Sequence, residues 1–337
     1  RGSMGRLHRS APAPPPPVPP VFGWPTSPVQ YVFCASLFVL WAWLIWARFF
    51  ARTSSYLLDA LRVWMYVPIA VVTMLLMHAA VHGMCEDSGI DLAGIVPVID
   101  NKLVTIVQIA PVVIFPLTVG EGCLLLYFAG MGPNGAQVSW FMQLVIASTV
   151  STTLFYVLEA FYGRCVLTST FERHLEPLHY LMWMVATCID SVTLHMLMAI
   201  QRRARGEDKL LCERNLAEVL LCTLTTFFAA FYGGLLRPAS ALNLVLMCTS
   251  FASFGIVLYR SYEAVRVATM DSFAVSEPLA LRFLFLRRAL LTKWCYYPIV
   301  WMLAASHTIS TQTEGLLLTT LDLLKAVFAI SAWALYL

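Results

Sequence analysis

Stretches of about twenty apolar residues recur along this chain, and they limit its possible folds more than any single motif does. A helix needs roughly 20 apolar residues to cross the hydrocarbon core of a bilayer. Nine segments qualify as candidate spans: 29–50, 61–83, 103–130, 138–162, 174–200, 211–235, 240–262, 285–309 and 315–337. Composition points the same way. Hydrophobic residues fill 59% of the 337 positions and charged residues 12%, and the mean hydropathy is +0.74. A soluble domain cannot cover itself with so little polar surface. The expected fold class is all-α, a polytopic membrane protein with a seven-helix bundle preceded by one or two extra transmembrane helices.

The net charge of +3 leaves no electrostatic footprint for a nucleic acid. Nine cysteines are scattered without a CxxC pair or a His/Cys metal spacing, so no metal is expected. Most lie in apolar spans, where Cys acts as a small hydrophobe. Cys85 and Cys165 fall near expected external loops and form a candidate disulfide.

RGSMG reads as an expression remnant before Met4, and APAPPPPVPP (11–20) as a mobile polyproline lead-in. This divides the chain into a tag remnant and Pro-rich N-terminus (1–28), two extra helices with the acidic external loop CEDSGIDLAGIVPVID (29–101), and a seven-helix domain (102–337). Arg and Lys mark cytoplasmic loops. Arg48, Arg52 and Arg62 flank the first connection, QRRARGEDK (201–209) follows the fifth span, and Arg260, Arg266, Arg282, Arg287 and Arg288 bracket the loop before the eighth. The last seven helices are thus expected to start outside a cell membrane and end in the cytoplasm. The N-terminus is external if both extra helices span. The sequence ends where its last helix should leave the membrane, so a cytoplasmic continuation is expected.

The last span, TTLDLLKAVFAISAWALYL (319–337), carries Asp322 and Lys325 one turn apart. A charged Lys at the bilayer centre costs roughly 3 kcal/mol on insertion scales. Such a lysine is either half of a packing salt bridge or a functional group. Lys293, five residues after Arg288, reads as one that snorkels to the cytoplasm. The fifth span offers Lys325 an anion. Counting from Glu176, Arg173 lies at −3, His179 and Tyr180 at +3 and +4, Trp183 at +7, Thr187 at +11 and Asp190 at +14, along one helical stripe. In WCYYPIVW (294–301), Trp294, Tyr297 and Trp301 share a face, and Pro298 bends the helix. An aromatic stripe is ordinarily packing, but beside a lysine helix it suits a flat hydrophobic ligand. Glu121 lies deep in the third span, whereas Glu159 reads as an interfacial, solvated acid. His78 and His82, spaced i, i+4, read as packing or interfacial groups.

Together these residues resemble the microbial (type 1) rhodopsins. The match rests on W-x-x-Y-P-x-V-W (Trp294, Tyr297, Pro298, Val300, Trp301), on LDLLK in the last helix, on Arg173 and Glu176 three apart, and on LLYFAGMGP…A (125–136). It covers roughly 103–337. The resemblance implies that Lys325 holds all-trans retinal as a protonated Schiff base. It implies Glu176 as first-choice counterion and Asp322 as second. Glu121 would be an extra counterion or gate acid close to the lysine. His179, Tyr180, Trp183, Trp294, Tyr297, Pro298 and Trp301 would line the polyene, with Arg173 opening the third helix of the family.

Some positions depart from the family. Its aspartate stands four residues before the lysine; here Asp322 stands three before, and Leu321 fills the usual place. Pro177 follows Glu176 where many members have Trp. A pump of this family keeps a carboxylate about three turns beyond its counterion, where this chain has Thr187. The extra N-terminal helices resemble rhodopsins fused to guanylyl cyclases, to cyclic-nucleotide phosphodiesterases or to a bestrophin channel. The implied function is a photoreceptor module, not itself an enzyme, in which helix movement signals to a C-terminal output domain. A light-gated ion channel is the first alternative and an ion pump a weaker one. A retinal-free receptor or transporter with a structural Asp–Lys pair is the bland one. The implied partners are retinal, the lipid bilayer and further copies of the chain as a dimer or trimer, with no nucleic acid.

Overall fold

The computed structural model describes residues 28–50, 66–87, 102–130, 135–162, 167–168, 174–204, 209–236, 240–273, 277–306 and 308–333. Among them are nine α-helices: α1 (Pro28–Ile45), α2 (Tyr66–Asp87), α3 (Lys102–Gly130), α4 (Gly135–Tyr162), α5 (Pro177–Ala204), α6 (Lys209–Leu235), α7 (Ala241–Phe273), α8 (Glu277–Ala305) and α9 (Thr311–Trp333). Each expected span has its helix. α1 runs on into a π-helical turn, Trp46–Phe50. Between α4 and α5, β1 (Leu167–Thr168) pairs antiparallel with β2 (His174–Leu175).

The start of α5 has a local cause with consequences for the site. Proline lacks an N–H and has a pre-set φ, so it is favoured at the first helical position. Pro177 takes that place, and the amides of His179 and Tyr180 donate to the Glu176 carbonyl at 3.1 and 3.3 Å. Glu176 therefore stands at the mouth of the helix, not a turn inside it.

Helices α3 to α9 form a closed ring, each packing on the next and α9 returning to α3. The two preceding helices dock on its outside, α2 against α4 and α5, and α1 against α2 and α6. This coverage is one-sided. In the apolar window of α4 (Gln143–Tyr162) 72% is buried and in that of α6 (Glu213–Leu235) 56%, against 11% in α7 (Ala241–Val267). All three are long and apolar enough to cross a membrane. The outer face of α7, with Leu242, Val245 and Tyr259 exposed, has the apolar character that lipid requires.

The shared core holds Met74 of α2, Phe115 of α3, Leu144 and Phe155 of α4, and Met182 of α5. Three hydroxyls of α4 are satisfied locally. Thr149, Ser151 and Thr153 each donate to the carbonyl four residues back, at 2.9 Å. An ion cluster fastens α1 to the ring. Glu218 of α6 accepts from Arg48 of the π-turn at 3.2 Å and from Arg260 of α7 at 3.1 Å.

Candidate functional site

Because α9 is continuous α-helix, positions three and four before Lys325 lie on the same face as the lysine. Asp322 Oδ1 stands 3.3 Å from Lys325 Nζ, and both groups are buried, Asp322 completely. No helix irregularity is needed to bring them together. Leu321, in the place the family keeps for aspartate, packs into the apolar core instead.

Three other helices close on the Asp322 carboxylate. Tyr156 of α4 donates to Oδ2 at 2.8 Å. Trp183 Nε1 of α5 lies 3.1 and 3.3 Å from the two oxygens. Tyr297 of α8 donates to Oδ1 through a short hydrogen bond, and His179 Nε2 meets Oδ2 at 3.0 Å. An ionised carboxylate accepts at about four lone-pair sites and donates nothing. Four side chains and the Lys325 ammonium satisfy that capacity.

His179 extends the chain of contacts. Its Nδ1 lies 3.3 Å from Glu176 Oε2 while its Nε2 faces Asp322. Only a doubly protonated imidazole donates from both nitrogens at once. In that form Lys325, Asp322, His179 and Glu176 sum to zero charge, which is the condition for burying ions cheaply.

Glu176, the expected first-choice partner of the amine, thus reaches Lys325 only through His179 and Asp322. Its place at the helix mouth is the reason. The α5 residue against the amine is Met182, with Sδ 3.4 Å from Lys325 Nζ. Thr152 Oγ1 of α4 lies at 3.5 Å. Both escaped the sequence reading. Met182 carries no signal in an apolar span, whereas the hydroxyl-rich run ASTVSTTLFY around Thr152 and Tyr156 was a usable one.

Lys325 opens into a cavity between α5, α6, α7, α8 and α9. Tyr180, Trp183, Trp294, Tyr297, Pro298 and Trp301, all expected on sequence grounds, line it together with Glu176, His179 and Thr187. The aromatic groups brace one another. Trp301 Nε1 donates to Tyr180 OH at 2.8 Å, and Trp183 and Tyr297 meet edge to face at 5.1 Å. Phe227, Phe251 and Phe254 add apolar wall, and Glu314 of α9 is a lining acid that the sequence reading missed.

Other expected residues lie elsewhere. Glu121 is exposed and is not among the cavity-lining residues. It follows the exposed stripe of Val113 and Leu117, while Phe115 and Thr118 carry the inward face of α3. Glu159 is buried, at 2% exposure, rather than solvated. Lys293 does not snorkel; it is 3% exposed, lines the cavity and has its Nζ 3.9 Å from Asp190 Oδ2. The rings of His78 and His82 lie 5.3 Å apart, with Tyr162 5.1 Å from His78. Arg173, Cys165 and the side chain of Cys85 lie outside the described residues.

No family model and no curated protein matches this sequence. Solved structures match it by fold. The thermophilic rhodopsin from Rubrobacter xylanophilus is 20% identical at a TM-score of 0.56, over 69% of this chain and 95% of its own. The transmembrane domain of the Salpingoeca rosetta rhodopsin phosphodiesterase is 13% identical at a TM-score of 0.57, over 92% of this chain and 98% of its own. The red light-activated channelrhodopsin Chrimson is 15% identical at a TM-score of 0.51, over 68% and 77%. At these identities the likeness establishes the fold. The chain is a membrane protein with a microbial-rhodopsin-like, all-α bundle.

Proposed function

We propose that this chain is a retinal-binding photoreceptor module whose light-driven helix movement is passed to a C-terminal output domain such as a cyclase, a phosphodiesterase or a channel. One observation carries the retinal reading: a buried primary amine, Lys325, opens into an aromatic-walled cavity with a fully buried carboxylate at 3.3 Å. A neutral amine forms imines with aldehydes, and a cationic nitrogen in a dry pocket needs a fixed anion. The donor set fits an extended apolar aldehyde. Lys325 would hold all-trans retinal as a protonated Schiff base, and Asp322 would be its principal counterion. When bound, retinal supplies light absorption and isomerisation. The chain supplies the anion, the aromatic walls that fix the polyene, and the exclusion of water. Glu176 acts at one remove, by balancing His179.

The sensory reading draws on the extra helices. The match to the Salpingoeca rosetta domain extends over 92% of this chain, against 69% and 68% for the Rubrobacter protein and Chrimson. Arginine-rich loops favour a cytoplasmic end for α9. The chain itself is then the light input and not the enzyme. A channel reading loses Glu121 as its expected gate acid, since that residue is exposed and is not among the cavity-lining residues.

The test is direct. Protein supplied with retinal should show a visible band that hydroxylamine bleaches, and Lys325→Ala should lack it. Borohydride reduction followed by peptide mass spectrometry should find the adduct on Lys325. An adduct elsewhere, or a visible band in Lys325→Ala, overturns the reading. Photocurrents from this chain alone would favour the channel.

A further inference from the structure

The second extra helix meets the ring at a cluster that the retinal reading does not use. His78 and His82 lie one turn apart on α2, and Tyr162 is the last residue of α4. Residues i and i+4 share a helix face, and both imidazoles are half-buried on that face. Their rings stand 5.3 Å apart. The Tyr162 ring lies 5.1 Å from that of His78 and 6.2 Å from that of His82. His82 Nε2 is 3.5 Å from the Tyr162 carbonyl oxygen.

The last carbonyls of a helix have no intrahelical donor, and that end of the helix dipole favours a cation. Tyr162 supplies such a carbonyl. At 3.5 Å the imidazole is a poor donor to it, because N–H···O bonds run about 2.7–3.2 Å. The spacing fits a different arrangement. Two ligands each about 2.1 Å from a tetrahedral ion stand about 3.4 Å apart. Two imidazoles on one such ion have ring centres about 5.2 Å apart. The separations of 3.5 and 5.3 Å match both. Tyr162 is 59% exposed, which leaves the cluster reachable from outside the bundle. Two histidines alone fall short of a ligand set, so their spacing along the chain pointed to packing. Among the described residues no three His, Cys, Asp or Glu side chains gather around a metal position; the third donor here is a backbone oxygen.

We propose that His78, His82 and the Tyr162 carbonyl bind a divalent transition-metal ion of the Zn²⁺ or Cu²⁺ class, with water as fourth ligand, and that the ion clasps α2 to the end of α4. Imidazole suits these ions, whereas Mg²⁺ and Ca²⁺ take oxygen ligands. The ion binds the folded, docked arrangement and therefore stabilises it.

Zn²⁺ alone is the probe, added to the full chain. At about ten times its dissociation constant it should raise the melting temperature by about 2–3 °C, and a chelator should reverse the rise. The rise should vanish when His78→Asn and His82→Gln are combined, and Mg²⁺ should not produce it. Cu²⁺ should give an electron paramagnetic resonance spectrum split by two imidazole nitrogens in wild type and by one in each single variant. If the variants do not fold, wild type decides: Zn²⁺ should shield His78 and His82 from diethyl pyrocarbonate, read by peptide mass spectrometry. The clasp has its own readout, slower hydrogen exchange with Zn²⁺ in the last turns of both α2 and α4. No rise, a rise of full size in the double variant, or unshielded histidines would overturn the site. Slower exchange confined to α2 would overturn the clasp. None of these readouts involves retinal, so their failure leaves the retinal reading standing.

Discussion

The two sides of Lys325 use the same residue types to different ends. On one side Asp322 and Lys325 share a helix, three residues apart, and donors from α4, α5 and α8 fill the carboxylate. On the other, Asp190 and Lys293 sit on different helices, α5 and α8, and face each other at 3.9 Å with one added hydroxyl. A pair on one helix keeps its spacing whatever the bundle does. A pair between helices keeps it only while the two helices stay in place. The first spacing is set by the helix itself, and the second by how α5 and α8 sit against each other. Pro298 breaks the hydrogen-bond ladder of α8 at the level of the cavity.

The largest expected effect tests whether the two acids are as unequal as their contacts. Asp322→Asn strands Lys325 and His179 as buried cations, and breaking a buried pair costs about 3–5 kcal/mol. Thermal unfolding of the apoprotein should show a large loss, and the retinal-bound form should lose or strongly shift its visible band. Asp190→Asn removes a less densely bonded carboxylate and should lower the melting temperature less. Equal losses would break the comparison.

Removing single donors from Asp322 comes next. Tyr297→Phe and Tyr156→Phe each delete one hydroxyl to a charged acceptor, worth roughly 1.5–3 kcal/mol. Both should destabilise the apoprotein and move the visible band without abolishing it. Ser148→Ala, the matching change on the Asp190 side, should cost less stability than either, because Lys293 remains. A larger loss from Ser148→Ala would mean that the sparse side is the better-held one.

How far the sequence disclosed this arrangement depends on which physical rule governs each residue. The stripe Glu176, His179, Tyr180, Trp183, Thr187 and the face Trp294, Tyr297, Trp301 follow from helical periodicity, and the cavity gathers them all. The Asp322–Lys325 contact was legible because a lysine inside a span demands a partner, and i−3 is within reach. The role of Glu176 was not, since it turns on where α5 begins, and Pro177 moves that start past the acid. Lys293 and Glu121 were misplaced for a common reason. Hydropathy locates a span but leaves open its rotation about its own axis. That rotation sends Lys293 inward and Glu121 outward. The docking of α1 and α2 on α4, α5 and α6 was likewise beyond a reading of spans one at a time.

Glu176 sharpens the comparison within the Asp322 side itself. It touches His179 at 3.3 Å and is separated from Lys325 by two intervening groups. Glu176→Gln should therefore shift the visible band in the same direction as Asp322→Asn but by a clearly smaller amount. A larger shift would return Glu176 to the rank of principal counterion. His179→Gln, which keeps a hydrogen-bonding side chain while removing the positive charge, should fall between the two. It leaves both carboxylates in place but strips one of the cations that balances them.

The smallest effect is expected at Glu121. The residue is exposed on α3, along the stripe of Val113 and Leu117, with the ring wall between it and the cavity. Exposed substitutions away from such features usually stay within about 0.5 kcal/mol. Glu121→Gln should leave the melting temperature, the visible band and the photoproduct lifetime at their wild-type values. The null outcome is informative because the same substitution was expected to matter if Glu121 approached the lysine or lined an ion path. A spectral shift in Glu121→Gln would mean that α3 turns its other face inward in the working protein. Glu121 would then have to be counted among the acids around Lys325.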